Sequence, residues 1–327
     1  MGTLRSAAEA LTGTGVMGAS AALLLIADSR LPAGGHAHSG GAEEAVHAGA
    51  IAGPEDLARF LRGRLATAGL VAAALAAAAC HLARTMATRP GTPVAPAPNG
   101  VNGGHPPPTA TDDDGASPDT ASLRGAAASG TAGESSRRPP EDLAAGHAAR
   151  WRELDAEADA RTASPAQRTA SRTQGRLLVR TARRIWPSPV LDGLAAAVPD
   201  GAHHPIALGA ACAAAGCPPG QAGLVAAYTS VTGPATAAVR LLGLDPVTVH
   251  RILADLAPEL DRTAEAAVAA VAACRTAGPA GAEAPDPDAP QDRTARHDWS
   301  ALPSWGAPAL DLLAEGHLRR EVRLFVS

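Results

Sequence analysis

DSRLPAGGHAHSGGAE, residues Asp28 to Glu43, decides how this chain folds. It lies between two apolar, Ala-rich runs. Pro32, Gly34, Gly35, Gly40 and Gly41 stop a helix from passing through it. The two glycine pairs allow positive φ and close backbone approach, which larger residues resist. His36, His38 and Ser39 bring polar chemistry to the same few residues. The stretch reads as a tight, glycine-lined loop where one helix hands over to the next. Two readings stand side by side: a docking surface, or a plain helix connector.

Composition extends the helical reading outward. Of 327 residues, 46% are hydrophobic and only 2% aromatic, so the core must be built from Ala, Leu and Val. Ala is the strongest helix former and lets backbones approach closely. No segment alternates apolar and polar residues in the period of a strand. The fold class predicted is all-α. A net charge of −4, with no basic excess, argues against a nucleic-acid partner. The chain has no Lys at all. That removes the phosphate-loop, Schiff-base and kinase-type mechanisms, each of which needs one. Cys80, Cys212, Cys217 and Cys274 are scattered and form no CxxC pair, so they read as reduced and structural in a cytoplasmic protein. Cys217, just before Pro218 and Pro219, is the one with reactive character. The run Ala21–Ala27 is too short to span a bilayer. Leu65–Cys80 is longer, but Ala-dominated and flanked by arginines, and reads as a buried helix rather than a membrane span.

Along the chain, helix is predicted over Val16–Ala27. A short helix follows, capped by Ser39 and running through Val46. Gly53–Pro54–Glu55–Asp56 opens the next, with Pro at the first position and two acids at the positive helix end. Its apolar spacing continues to about Met86, as one helix or two with a bend. Residues 88–140 are rich in Pro, Gly, Ser and Thr and read as a disordered insertion. A coil of that length spans on the order of 40 Å, so it can leave and rejoin one domain. Ser164–Pro165–Ala166–Gln167 is a capping box. It opens a helix whose Arg168, Arg172, Arg176, Arg180, Arg183 and Arg184 form either a solvated face or a contact for an acidic partner. Asp245–Pro246 caps one long amphipathic helix through Val271. Residues 276–306 read as a second disordered linker.

These landmarks, taken in order, resemble the UreF family of urease accessory proteins. Asp28, Ser29, Leu31, Pro32, Gly34, Gly35, Ala37, His38, Ser39, Gly40, Gly41 and Glu43 match its N-terminal signature. Ser171, Gln174, Gly175 and Arg176 match a second motif. His204, Pro205, Gly209, Pro219, Ala238, Val239, Arg240 and Leu241 match a third, and His317, Arg323, Leu324 and Phe325 a fourth. His36 stands where the family has an aromatic, Ala42 where it has a larger apolar residue, and Val326 where many members have Arg. The resemblance spans about residues 20–87, 140–275 and 307–327, with the insertions falling in loops.

The resemblance implies a single helical-bundle domain over 16–275 and a partner-docking tail over 307–327. It implies a non-catalytic role in delivering nickel to apo-urease. The partners would be a UreD/UreH protein, the GTPase UreG and the urease apoprotein, with a homodimer inside the complex. It implies no cofactor of the chain's own, nickel being handled by the complex, and no membrane. His38, Ser39, Gly40, Gly41, Glu43, Arg176 and Arg240 are expected to face a partner or the dimer. Arg323, Leu324 and Phe325 are expected to dock UreD/UreH, the alternative being a last strand or turn packed on its own domain. No metal site is expected: His36 and His38 are the nearest candidates, and they lack a Cys, Asp or Glu frame. A hydrolase built from Ser29 or Ser39, His38 or His204, and Asp28 lacks the GxSxG elbow and the sheet that carries one. An arginine-rich helical scaffold acting on acidic surfaces is the remaining class.

Overall fold

A computed structural model describes residues 14–28, 30–31, 37–87, 140–274 and 297–325. Among the described residues there is helix and no β-strand, as the composition predicts. In chain order the elements are α1 (Thr14–Ala27), α2 (Ala42–His47), α3 (Pro54–Arg64), a π-turn (Leu65–Gly69), α4 (Leu70–Ala87), α5 (Pro140–Ala160), α6 (Pro165–Ile185), α7 (Pro189–Ala197), α8 (His204–Ala214), α9 (Pro219–Leu242), α10 (Pro246–Asp255), α11 (Ala257–Ala273), a 3₁₀ turn (Trp299–Ala301) and α12 (Pro308–Leu318).

Proline marks most of these beginnings. It occupies the first or second position of α3, α6, α7, α8, α9, α10, α11 and α12, where its missing N–H has no intrahelical partner to lose. Ser164 accepts the Gln167 amide at 3.1 Å, and Asp245 accepts the Val247 and Thr248 amides at 3.2 and 2.9 Å. Two expectations change. Ser39 does not cap α2; the cap position is Gly41, at φ +89, and no side chain caps it. The long helix expected from Asp245 to Val271 is two, because Pro258 cannot supply the helical amide and the chain turns at the fully buried Leu256.

The core is organised around α4. Ala73, Ala74 and Ala76 to Ala79 are wholly buried, and α8, α9 and α11 pack around them. Small residues make this possible: a β-carbon on Gly209 would sit 2.1 Å from the Ala76 carbonyl oxygen. The continuous helix Pro54–Ala87 is long and apolar enough to cross a bilayer, but its apolar window is mostly covered by other helices of the chain. All four cysteines are buried, and none of them is in a disulfide.

The expected insertion at 88–140 lies outside the described residues up to 139, and Pro140 opens α5. The expected linker at 276–306 is described from His297 onward, and there it is packed. Trp299 and Leu302 are buried, and Arg161, at the end of α5, donates to the carbonyls of Trp299, Ser300, Leu302 and Pro303.

Candidate functional site

The glycine loop is anchored from below. Arg64, the last residue of α3, donates to the Gly40 carbonyl at 2.7 Å and to the Ser230 carbonyl of α9 at 2.8 Å. Burial pushes its guanidinium down to about 10, still charged at neutral pH. Gly40 needs to be glycine on two counts. Its φ is +59, and a β-carbon would meet Pro234 at 3.0 Å and the Arg64 guanidinium at 3.1 Å. Ser39 and Glu43 are buried, so the loop delivers a carboxylate into the protein rather than into solvent.

The tail returns to meet that carboxylate. α12 is fixed to the start of α6: Asp311 accepts the Ser164 amide at 3.2 Å, and Glu315 accepts the Ser164 hydroxyl at 2.6 Å and the Ala166 amide at 2.9 Å. Those bonds, the Ser164 hydroxyl first, hold Glu315 below the usual carboxylate range. After α12 the chain folds over α2. Glu43 accepts the amides of Leu324 at 2.7 Å and Phe325 at 3.2 Å. His317 is buried beside it, with Nε2 3.3 Å from the Phe325 carbonyl oxygen and Nδ1 3.6 Å from the Glu43 carboxylate. Arg320 pairs with Glu44 and holds that carboxyl down. The Arg240 guanidinium of α9 lies over the Phe325 ring, 5.1 Å from its centroid.

This latch sorts the tail into two faces. Phe325 points inward and is 6% exposed; Val322 and Leu324 point outward at 83% and 67%. A groove of about 460 Å³ runs along the outward row, lined by Glu43, His47, Arg320, Glu321, Val322 and Leu324. Leu312 and Leu318 of α12 are exposed as well. The fold thus brings Glu43, Arg240, Leu324 and Phe325 into one cluster, with Gly40 and Gly41 at its edge and Arg323 exposed within the tail. His38 is buried and stands near His204, whose imidazole burial and, secondarily, His38 push down to about 4. Ser29, Pro32, Gly34, Gly35 and His36 lie outside the described residues.

Arg176 belongs to a different cluster. It donates to the Asp200 carbonyl at 2.6 Å. One turn earlier, Arg172 bridges Asp155 and Asp159, both at 2.9 Å. His203, fully buried, reaches Asp159 through Nε2 at 2.8 Å and the Ser171 hydroxyl through Nδ1 at 3.1 Å. Asp155 accepts the His203 amide at 2.8 Å and Ser171 accepts the His204 amide at 3.0 Å. A cleft of about 630 Å³ opens beside Asp155, Asp159 and Arg172. The order Ser, His, Asp is that of a hydrolytic triad, but this hydroxyl is committed to a backbone amide and its histidine is enclosed. The chain of bonds ties α5, α6 and the start of α8 together. Of the expected hydrolase residues, Ser29 lies outside the described residues and Asp28 is taken up by Arg30, which draws its carboxyl down to about 2. Among the described residues no group of three or more His, Cys, Asp or Glu is arranged to hold a metal ion.

Sequence reasoning missed Arg64, Glu44, Arg161 and Arg320. Glu44 and Arg320 are 276 residues apart, and nothing local marks either as a partner.

Fold and site together define an all-α protein that presents an apolar C-terminal face anchored by a buried carboxylate. Its family follows from comparison with known proteins. The UreF family model matches residues 51–257. Proteins named urease accessory protein UreF from Mycolicibacterium vanbaalenii and a Mycobacterium species are each 36% identical, over 95% and 93% of this chain and 100% and 97% of their own lengths. That of Mycobacterium marinum is 34% identical over 94% of this chain and 98% of its own length. The chain belongs to the UreF family of urease accessory proteins.

Proposed function

We propose that this chain is a non-catalytic scaffold in urease maturation, acting in the cytoplasm to help place nickel in apo-urease. In this reading it binds a UreD/UreH partner through its tail and, with that partner, recruits and regulates the GTPase UreG. It works as a homodimer within the complex and leaves nickel handling to the assembly. The observation that carries the reading is the two-faced tail: Phe325 and Glu43 fix it, while Val322 and Leu324 are held out in solvent. A short apolar row held at the surface by specific bonds is suited to a partner groove, since burying each such side chain contributes roughly 1.5–3 kcal/mol. Phe325, expected on the docking face, serves this reading as the internal anchor, and Arg323 and Leu324 as the presented residues. The absence of Lys supports the division of labour, with nucleotide chemistry left to UreG. Arg176 and the glycine loop are the remaining candidates for the dimer or the GTPase.

The test is co-expression with the urease maturation genes, followed by purification through this chain. Deleting residues 318–327 is expected to abolish recovery of the UreD/UreH partner and of urease activity. Undiminished recovery would remove the tail from the reading.

A further inference from the structure

Three thiols converge beneath the turn between α8 and α9. Cys212 is in the last turn of α8, and Cys217 lies just past its end; both are fully buried. Cys80 of α4 donates its S–H to the Cys217 carbonyl at 3.3 Å. The turn has a defined geometry. The Cys217 amide donates to the Cys212 carbonyl at 2.8 Å, the Gly216 amide to the Ala213 carbonyl at 3.0 Å, and Gly216 takes φ +85. This is the Schellman ending of a helix, in which the residues at the two ends of the longer bond lay their side chains together. Here both are cysteines, and the two thiols are hydrogen-bonded to each other. The same backbone bond that closes the turn therefore places the two thiols side by side.

We propose that Cys212 and Cys217 form a reversible dithiol–disulfide site, oxidised by a small peroxide. The Cys217 thiolate attacks a peroxide oxygen, giving a Cys217 sulfenic acid and releasing water or an alcohol. The Cys212 sulfur then attacks the sulfenic sulfur, its proton leaving with the hydroxyl as water. In sum, two thiols and one hydrogen peroxide give one disulfide and two waters.

The surroundings assign the roles. The hydrogen bond from Cys212, with Arg84 nearby, holds the Cys217 thiol below its ordinary value, while Cys212 is raised by that same bond and by burial. Cys217 is thus the attacking sulfur and Cys212 the resolving one. Cys80, pushed by burial to about 12, stays a thiol and a spectator. Access favours a small oxidant. Gly216 and Pro218, on either side of Cys217, are exposed, and the space off the Gly216 α-carbon is open, so Cys217 lies one residue layer beneath solvent. The bond would tie the end of α8 to the start of α9, the helix that also carries the Ser230, Pro234 and Arg240 contacts of the loop and tail.

The experiment uses the full reduced chain, treated with hydrogen peroxide under native conditions, quenched, unfolded and mapped without reductant. The expected result is a loss of two hydrogens from the intact mass, reversed by dithiothreitol, with Cys212 and Cys217 in one linked peptide. Cys80→Ala and Cys274→Ala should form the bond as the parent does. In Cys212→Ala, peroxide should leave a dimedone-reactive sulfenic acid at Cys217. Four free thiols after treatment of the unaltered chain, or a bond pairing other cysteines, would overturn the assignment whatever the variants do.

Discussion

Glu43 holds the tail with both carboxylate oxygens, which accept the amides of Leu324 and Phe325. Glu43→Ala leaves the buried Phe325 amide unsatisfied, which costs about 1–3 kcal/mol, whereas water replaces the acceptor at the exposed Leu324. The expected outcome is hydrogen exchange at Phe325 faster by about tenfold or more, with the amides of α4 unchanged; Glu43→Gln, which keeps one acceptor, should fall between. Another residue-scale prediction concerns pH. His204 titrates near 4 in the fold and near 6.5 when unfolded, so between those values the unfolded chain binds more protons. Stability from this group is therefore complete above about 6.5 and falls away as pH drops toward 4, by up to about 3 kcal/mol. Urea unfolding across that range should show the slope, and His204→Gln should flatten it. Gly40 and Gly41 were legible in the sequence, because turn residues leave a local signature, whereas Glu43 stood there only as a family match expected to face a partner, and the fold buries it. The Arg64–Gly40 and Arg320–Glu44 partnerships were not legible, since each joins residues that only the fold brings together.

Elements were easier to read than their joints. Proline at helix starts, Ser164 and Asp245 as caps, and the Ala-rich runs predict most helices from spacing alone. The division at Leu256 escaped because the apolar stripe runs straight through it, so periodicity alone did not mark the break. The packing of Trp299 and Leu302 escaped because a Pro- and Asp-rich stretch lacks periodicity, while the guanidinium that holds it comes from α5. Arg161→Ala should free that segment: with several carbonyls losing their shared donor, limited proteolysis near 297–303 is expected to accelerate severalfold. α8 approaches α4 closely at Gly209. A methyl there must displace the backbone of Ala76, so Gly209→Ala should destabilise the chain by about 3 kcal/mol or more, read as a lower midpoint in chemical denaturation. Gly209 stood out in the sequence only as a family match; its physical reason is the packing of α8 against α4.

At the scale of the whole molecule, several arginines fix distant elements to one another. Arg64, Arg161, Arg172 and Arg320 each bind carbonyls or carboxylates of distant elements, and at the C-terminal end Val322 and Leu324 stand exposed beside Glu321 and Arg323. Helical class and family were both legible in the sequence, through composition and the order of four motifs. The two-faced tail was not, because whether Leu324 or Phe325 points outward depends on where Glu43 and Arg240 stand. The central claim is that the outward row binds the partner while the inward residues only hold it in place. Val322→Asp with Leu324→Asp tests this most directly, since both side chains are already in solvent and the latch is left intact. Losing two buried apolar contacts of roughly 1.5–3 kcal/mol each predicts at least a hundredfold weaker capture of the UreD/UreH partner by the purified double variant, with its unfolding midpoint unchanged. Partner capture equal to that of the unaltered chain would contradict it.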